Sequence, residues 1–416
     1  MKKHALLTFV LGLLLALLIL PVVGLLELQI AYASPYTNID VDTAYDMITN
    51  GSYPELVVLD VRYQYEYDDG HIRNAILIPY DELAGRLDEL DPEKETLVYC
   101  KLGGRSAIAS GTLDSNGFTS VYNMEGGIVA WESGGYPVYV HYSSIQTAIN
   151  NADEGDSVFV ASGIYYEHVV ANKTISLIGE DRSHTVIDGN GTGNVVVEIT
   201  AHSVNVTEFT IRNGTKGFSI INSSYNIISG NIVVDNIDGI DFACCPCDPS
   251  RQNNITNNII KNNYIGISIV AYNSNIIYHN SFIDNNIMVW IPGINTLWDN
   301  GYPSGGNYWS DHNPSDLYSG PYQNETGSDG IGDTSYIIDG NNKDRYPLIY
   351  PYSYVASPDV YDDGVIDIMD VLVVGSAFGS EPGDNNWNPI ADLYTDGEID
   401  IMDILIIAVV FGATYP

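Results

Sequence analysis

Tyr99-Cys100-Lys101-Leu102-Gly103-Gly104-Arg105-Ser106 follows the apolar run Thr96-Leu97-Val98-Tyr99 and leads into Ala107-Ile108-Ala109. The pattern is a strand, a tight loop and a helix start, with one cysteine at the mouth of the loop. Two glycines let the backbone curl so that successive N–H groups point inward. The helix start adds partial positive charge and Arg105 a full one. A thiol at position 100 is therefore expected to ionise readily, and the thiolate is the nucleophile. Taken alone, the motif fits a buried structural cysteine beside a Gly-rich turn as well as a reactive one.

The flanks narrow the choice. Upstream, Leu56-Val57-Val58-Leu59-Asp60-Val61-Arg62 has the pattern of a buried strand ending in a charged pair. Glu66-Tyr67-Asp68-Asp69-Gly70-His71-Ile72 and Ala75-Ile76-Leu77-Ile78-Pro79 come next. Downstream lie Gly117-Phe118, then Val121-Tyr122-Asn123-Met124-Glu125-Gly126-Gly127-Ile128 and Gly135-Tyr136-Pro137-Val138. This succession closely resembles a single rhodanese (sulfurtransferase) domain over residues 36–140. Its alternation of short apolar strands with helical patterns such as Val41–Ile48 implies a parallel sheet with helices on both faces. Reactive loops in such sheets lie at the carboxyl ends of strands.

The resemblance implies that Cys100 accepts a sulfane sulfur as a persulfide, cradled by the backbone of Lys101, Leu102, Gly103, Gly104 and Ser106. It further implies that Arg105 closes the loop and holds an anionic donor. Asp60 and Arg62 are expected to shape the pocket or to form a strand-end ion pair supporting the loop; His71 and Glu66 are expected to be structural. Cys100 to Arg105 spans six residues. The resemblance implies that a loop of this length suits sulfur, whereas phosphatase relatives carry one residue more.

Two to four domains are expected for 416 residues. Sixteen Lys and Arg against 53 Asp and Glu give a net charge of −37. Such a chain repels nucleic acid and anionic membrane surfaces and attracts cations. Residues 1–33 are expected to be a targeting segment: Lys2-Lys3, an apolar stretch from Ala5 to Leu26, then Ala31-Tyr32-Ala33. Cleavage after Ala33 and an uncleaved N-terminal anchor both fit, and either places the rest outside the cytoplasm, secreted or at the cell surface.

From His141 the composition shifts to Asn, Ile, Ser and Gly. Ser144–Ile149 is expected to be a short capping helix, followed by strands such as Asp156–Val160 and Thr174–Gly179. Asn-Ile pairs then recur at Asn226, Asn231, Asn254, Asn258 and Asn275. The offset from Asn258 to Asn280 is 22 and from Asn231 to Asn258 is 27, periods that mark solenoids. The expected architecture for 141–352 is a right-handed parallel β-helix, with Ile and Val inside and Asn stacked at the turns. The extra residues of the longer coil fall at Cys244-Cys245-Pro246-Cys247-Asp248-Pro249-Ser250. The region resembles the NosD-like periplasmic β-helix proteins common on archaeal surfaces.

Asp235, Asp238 and Asp241 fit a polysaccharide-active face or solvated turn carboxylates. Cys244, Cys245 and Cys247 fit a soft-metal site, such as one for copper, or disulfide pairing. Asn-x-Ser/Thr sequons at Asn172, Asn190, Asn205, Asn213, Asn222, Asn254 and Asn324 fit a glycosylated surface protein.

The C-terminal segment is duplicated at an offset of 33: Asp359 to Asp370 recurs as Asp392 to Asp403. Asp359, Asp363, Asp367 and Asp370 occupy positions 1, 5, 9 and 12 of a calcium-loop pattern with Val365 at 7. Asp392, Asp396, Asp400 and Asp403 repeat it with Glu398 at 7. Position 3 is Tyr361 and Tyr394, a poor calcium ligand. Residues 357–416 resemble a type I dockerin, a small α-helical module, which implies two calcium ions and a cohesin-like partner.

The expected whole is an exported sulfurtransferase: an α/β rhodanese domain, an all-β right-handed parallel β-helix and a calcium-loaded docking module. Its expected partners are a sulfur donor, a small thiol acceptor and a polysaccharide, with no nucleic acid and no organic cofactor. A non-catalytic adhesion or scaffold protein and a carbohydrate-active β-helix are the alternatives.

Overall fold

The computed structural model describes residues 36–49, 53, 55–191, 193–243, 251–270, 274–292, 296–327, 329–352, 368–380, 399 and 404. The targeting segment, Cys244, Cys245, Cys247 and the calcium-loop residues Asp359, Asp363, Val365, Asp367, Asp392, Asp396, Glu398, Asp400 and Asp403 lie outside these residues. Among the described residues, no helix is long and apolar enough to cross a membrane.

The N-terminal unit is built on five strands: β1 (Thr37–Ile39), β2 (Val57–Asp60), β3 (Ile76–Leu77), β4 (Thr96–Tyr99) and β5 (Val121–Met124). They pair in parallel in the order β1-β5-β4-β2-β3. Parallel strands are buried on both faces and therefore read as continuous apolar runs. One face packs Leu59, Val98 and Cys100 against Ala109 and Leu113. The other packs Val58, Leu97 and Tyr99 with Ala44, Ile128 and Trp131. The helices supplying these partners are α1 (Val41–Thr49), α3 (Gly104–Ser115) and α4 (Gly127–Ser133). A five-residue helix, α2 (Gln64–Asp68), follows β2.

Beyond α5 (Ile145–Asn151) the chain becomes strand-rich. Three parallel sheets of seven, six and six strands each take one strand from every coil. This arrangement is consistent with a parallel β-helix. Identical positions stack inward: Val158, Leu177, Val206, Ile228, Ile255 and Ile277 pair in register and are buried. Each such side chain contributes about 2 kcal/mol by leaving water.

The turns repeat a polar cap. Asn231 accepts at Oδ1 from Phe209 N at 3.1 Å, and its own N and Nδ2 donate to Asn258 Oδ1. Asn258 does the same toward Asn280, and Asn280 toward Asn307. Parallel ladders run through Asn226, Asn253 and Asn275 and through Asn236, Asn263 and Asn285. After Asn307 the next acceptor is Asp344, whose Oδ2 takes the Asn307 N–H at 2.6 Å and Trp309 Nε1–H at 3.0 Å. The motif Asp344-Arg345-Tyr346-Pro347-Leu348 thus closes the ladder.

Near the C-terminus, α6 (Ile368–Ala377) contains Asp370, and Gly379 follows it with a left-handed φ of 78. Gly379 N donates to Ile399 O, and Ile399 N returns a bond to Ser380 O at 3.0 Å. The two copies of the duplicated segment therefore meet backbone to backbone.

Candidate functional site at the Cys100 loop

Cys100 directly follows β4, and α3 begins four residues later. Gly103 sits between them with φ +92, a left-handed value that favours glycine. That turn brings its N–H to within 3.1 Å of Cys100 Sγ. The sulfur lies at the floor of the loop, with Cys100 only 1% exposed. Burial pushes the thiol up. The Ser106 hydroxyl and N–H and the Leu102 and Gly103 N–H groups outweigh it, and the thiol falls below its ordinary value. An ionised sulfur at this point meets several donors at once.

A second glycine holds the loop from behind. Gly127 has φ +60, and a Cβ there would lie 2.3 Å from Cys100 O. This close approach lets Ile128 N donate to Cys100 O at 2.8 Å and Val129 N to Lys101 O at 3.3 Å. With those carbonyls taken by the start of α4, the loop keeps its amides for the sulfur. The sequence shows Gly126-Gly127 plainly but not this role.

Arg105 is placed by α2. Its Nη1 and Nη2 donate to the two Glu66 oxygens, each at 2.7 Å, and its guanidinium lies 5.7 Å from the centre of the Tyr63 ring. The Arg105 bonds hold the Glu66 carboxyl below its usual range, and the same pair raises Arg105. Glu66 thus has the structural role expected of it, and what it holds is the loop cation Arg105. Lys101, Leu102 and Gly104 lie on the exposed rim, and Ser106 is buried with its hydroxyl oxygen 3.0 Å from Gly103 O.

Asp60 and Arg62 do not line the loop with free charge. Arg62 Nη2 donates to Asp60 at 2.6 Å and to Gly70 O at 2.6 Å, and both side chains are buried. They form the strand-end ion pair.

On the strand-rich region, Asp241 is buried and ion-paired with Lys216, which corrects the expectation of a solvated turn carboxylate. Asp238 is half-buried; burial first, then the Asp241 charge, raises its carboxyl. Asp235 remains exposed at a turn. Among the described residues no group of three or more His, Cys, Asp or Glu is arranged to hold a metal. A cleft of about 500 Å³ is lined by Asn213, Asp235, Ile237, Asn262 and Tyr264 from successive turns.

A thiol under loop amides at the end of a parallel strand is what the rhodanese resemblance implies. Family comparison agrees: the rhodanese-like domain family matches residues 40–134, and the periplasmic copper-binding protein (NosD) family matches residues 110–314. The chain thus carries a rhodanese-like domain joined to a NosD-like domain. The matches overlap at 110–134, which the structure places in the five-stranded unit.

A tRNA uridine(34) hydroxylase of Erwinia tasmaniensis is 39% identical over 84 residues, 19% of this chain and 24% of that protein. The uncharacterized protein YqhL of Bacillus subtilis is 38% identical over 79 residues, 19% of this chain and 63% of that one. The chain therefore spans about a quarter of the hydroxylase and under two thirds of YqhL. A rhodanese-related protein from Thermoplasma volcanium, a solved structure, is 36% identical over 26% of this chain and 100% of its own, with a TM-score of 0.24.

Proposed function

We propose that this protein is an exported sulfurtransferase working through a Cys100 persulfide. The observation that carries the reading is the buried Cys100 sulfur beneath the Gly103 N–H, with Arg105 of the same loop held by Glu66. The Cys100 thiolate attacks the outer sulfur of a donor such as thiosulfate. The donor S–S bond breaks, sulfite leaves with the electron pair, and a Cys100 S–S⁻ persulfide remains. An acceptor thiolate then attacks the terminal sulfur, forming a persulfide of the acceptor and returning the Cys100 thiolate. Loop amides carry the charge on sulfur in both states, and Arg105 orients the anionic donor. The test is thiosulfate turnover with a thiol or cyanide acceptor, beside Cys100→Ser. A folded, reduced protein without turnover would leave a binding or scaffold role.

The NosD match and the apolar N-terminal stretch support export. The duplicated segment supports a dockerin-like module holding two calcium ions through Asp359, Asp363, Val365, Asp367 and Asp370 and through Asp392, Asp396, Glu398, Asp400 and Asp403, for a cohesin-like partner. Calorimetric titration of the full chain checks it: two calcium ions per chain are expected, and none bound would remove the module from the reading. For the strand-rich region, the cleft bearing exposed Tyr264 and Ile237 favours an uncharged polysaccharide. Affinity electrophoresis with and without Tyr264→Ala tests that assignment.

A further inference from the structure

The two units are joined by more than the peptide chain. Tyr139 pairs with His71 on one side, and Val140 pairs with Val160 on the other, so one segment belongs to both. Beside this seam sits Glu180, at the end of a strand in the strand-rich region and 3% exposed. Its Oε1 accepts from Asn74 N at 2.8 Å and lies 3.1 Å from His71 Nε2; its Oε2 accepts from Ser162 N at 2.8 Å. His71 is equally enclosed, its Nδ1 lying 3.1 Å from Tyr67 O. Its ring stacks on Tyr67 with centroids 3.7 Å apart and planes at 6°.

Tyr67 belongs to α2, and its neighbour Glu66 forms the two-pronged bond that fixes Arg105. A continuous chain of contacts thus runs from Glu180 through His71 and Tyr67 to Glu66 and Arg105. Each ring nitrogen of His71 faces an oxygen, Glu180 Oε1 on one side and Tyr67 O on the other. A ring contacted at both edges and stacked on Tyr67 has its orientation fixed, and loss of the Glu180 contact frees the ring and the helix stacked on it.

We propose that Glu180 is a positioning residue for Arg105: the strand-rich region, through His71 and α2, sets where the loop cation stands relative to the Cys100 sulfur. A short helix of five residues has little stability of its own. It takes its position from what it packs on, and one of those supports is supplied by the other unit. The proposal deepens the sulfurtransferase reading and rests on it for its catalytic meaning, but the coupling itself is measurable without turnover.

The experiment uses the full chain and reads alkylation of the Cys100 peptide by mass spectrometry with two probes, anionic iodoacetate and neutral iodoacetamide. Their rate ratio reports how well Arg105 attracts an anion to the sulfur. Glu66→Gln sets the scale with a several-fold fall. Glu180→Gln and His71→Gln are expected to lower the ratio several-fold too, while the neutral-probe rate stays within twofold. Glu208→Gln removes a different contact across the seam, the one to Arg73 at 3.6 Å, and is expected to leave the ratio unchanged. For thiosulfate, Glu180→Gln is expected to raise KM several-fold with kcat within twofold.

An unchanged ratio in folded Glu180→Gln or His71→Gln overturns the proposal, as does an equal fall in Glu208→Gln, which would mean a general loosening of the seam. Wild-type protein that turns over no thiosulfate, yet shows the ratio falling, defeats the sulfur-transfer reading and leaves the coupling standing.

Discussion

The five-stranded unit and the strand-rich coil both bury polar groups, but they arrange them in opposite ways. In the first, the polar partners converge on one strand end: Cys100, Ser106, Arg105 and Glu66 meet around one loop. In the second, one device is repeated, an asparagine handing its amide to the next coil. Concentrated polarity builds a site, and distributed polarity builds a support. Replacing one residue of the first should therefore cost chemistry, and replacing one of the second should cost stability.

Cys100→Ser is the sharpest break. Thiosulfate turnover is expected to fall at least ~1000-fold, in keeping with loss of a nucleophile, while the melting temperature stays put. In wild type, the acid limb of the turnover profile should lie below the ordinary cysteine range, because the thiol is held down by its hydrogen bonds. A limb at or above that range would mean the loop amides do not serve the sulfur.

Gly127→Ala should blur the comparison by harming both properties at one position. Its Cβ has no room beside Cys100 O, and φ +60 strains any L side chain. Turnover is expected to drop ~10- to 100-fold by displacement of the loop, with a stability loss of about 2 kcal/mol. Kinetics and chemical denaturation read the two effects separately.

The opposite pole is Asn258→Ala. It leaves Asn231 N, Ile228 O and Thr256 O without their partners inside the coil. Unfolding free energy is expected to fall by about 3 kcal/mol, with turnover within about twofold of wild type. A turnover loss matching Cys100→Ser would erase the distinction between the regions.

The seam gives a pH test. Burial pushes the Glu180 carboxyl up, but His71 and the Ser162 and Asn74 N–H groups bring it down to about 2 from an ordinary 4.5. A carboxyl depressed by folding stabilises above its unfolded value, and that contribution is lost as pH falls through the folded one. The window is therefore pH 4.5 to 2, and the contribution is about 3 kcal/mol. The stability gap between wild type and Glu180→Gln should be widest above pH 5 and close toward pH 2, read by denaturant unfolding at each pH. A gap that persists at pH 2 would assign the effect to packing.

Much of this was legible in the chain. The loop at Cys100 is local, so strand, glycines and helix start all appear within a dozen residues. The coil is periodic, so Asn231, Asn258 and Asn280 announce their own stacking. The partners that complete the site are neither local nor periodic. Glu66 lies 39 residues from Arg105 and Glu180 lies 109 from His71, and in sequence both are ordinary acids. Asp241 is hidden in the sequence for the same reason: its carboxylate looks solvated until Lys216 of the preceding coil is laid over it.

The asparagine ladder has one more implication. Successive rungs are separated by 27, 22 and 27 residues from Asn231 to Asn307, yet each amide finds the next in the same geometry. The ladder counts coils, not residues. Whatever is spliced between two rungs must only return the chain to the next asparagine, and closing a loop a few residues longer costs little. The seven residues between Ala243 and Arg251, with their three cysteines, occupy such a splice point. The coil thus works as a ruler with replaceable marks: its core fixes the spacing, and evolution is free to change what hangs from each interval.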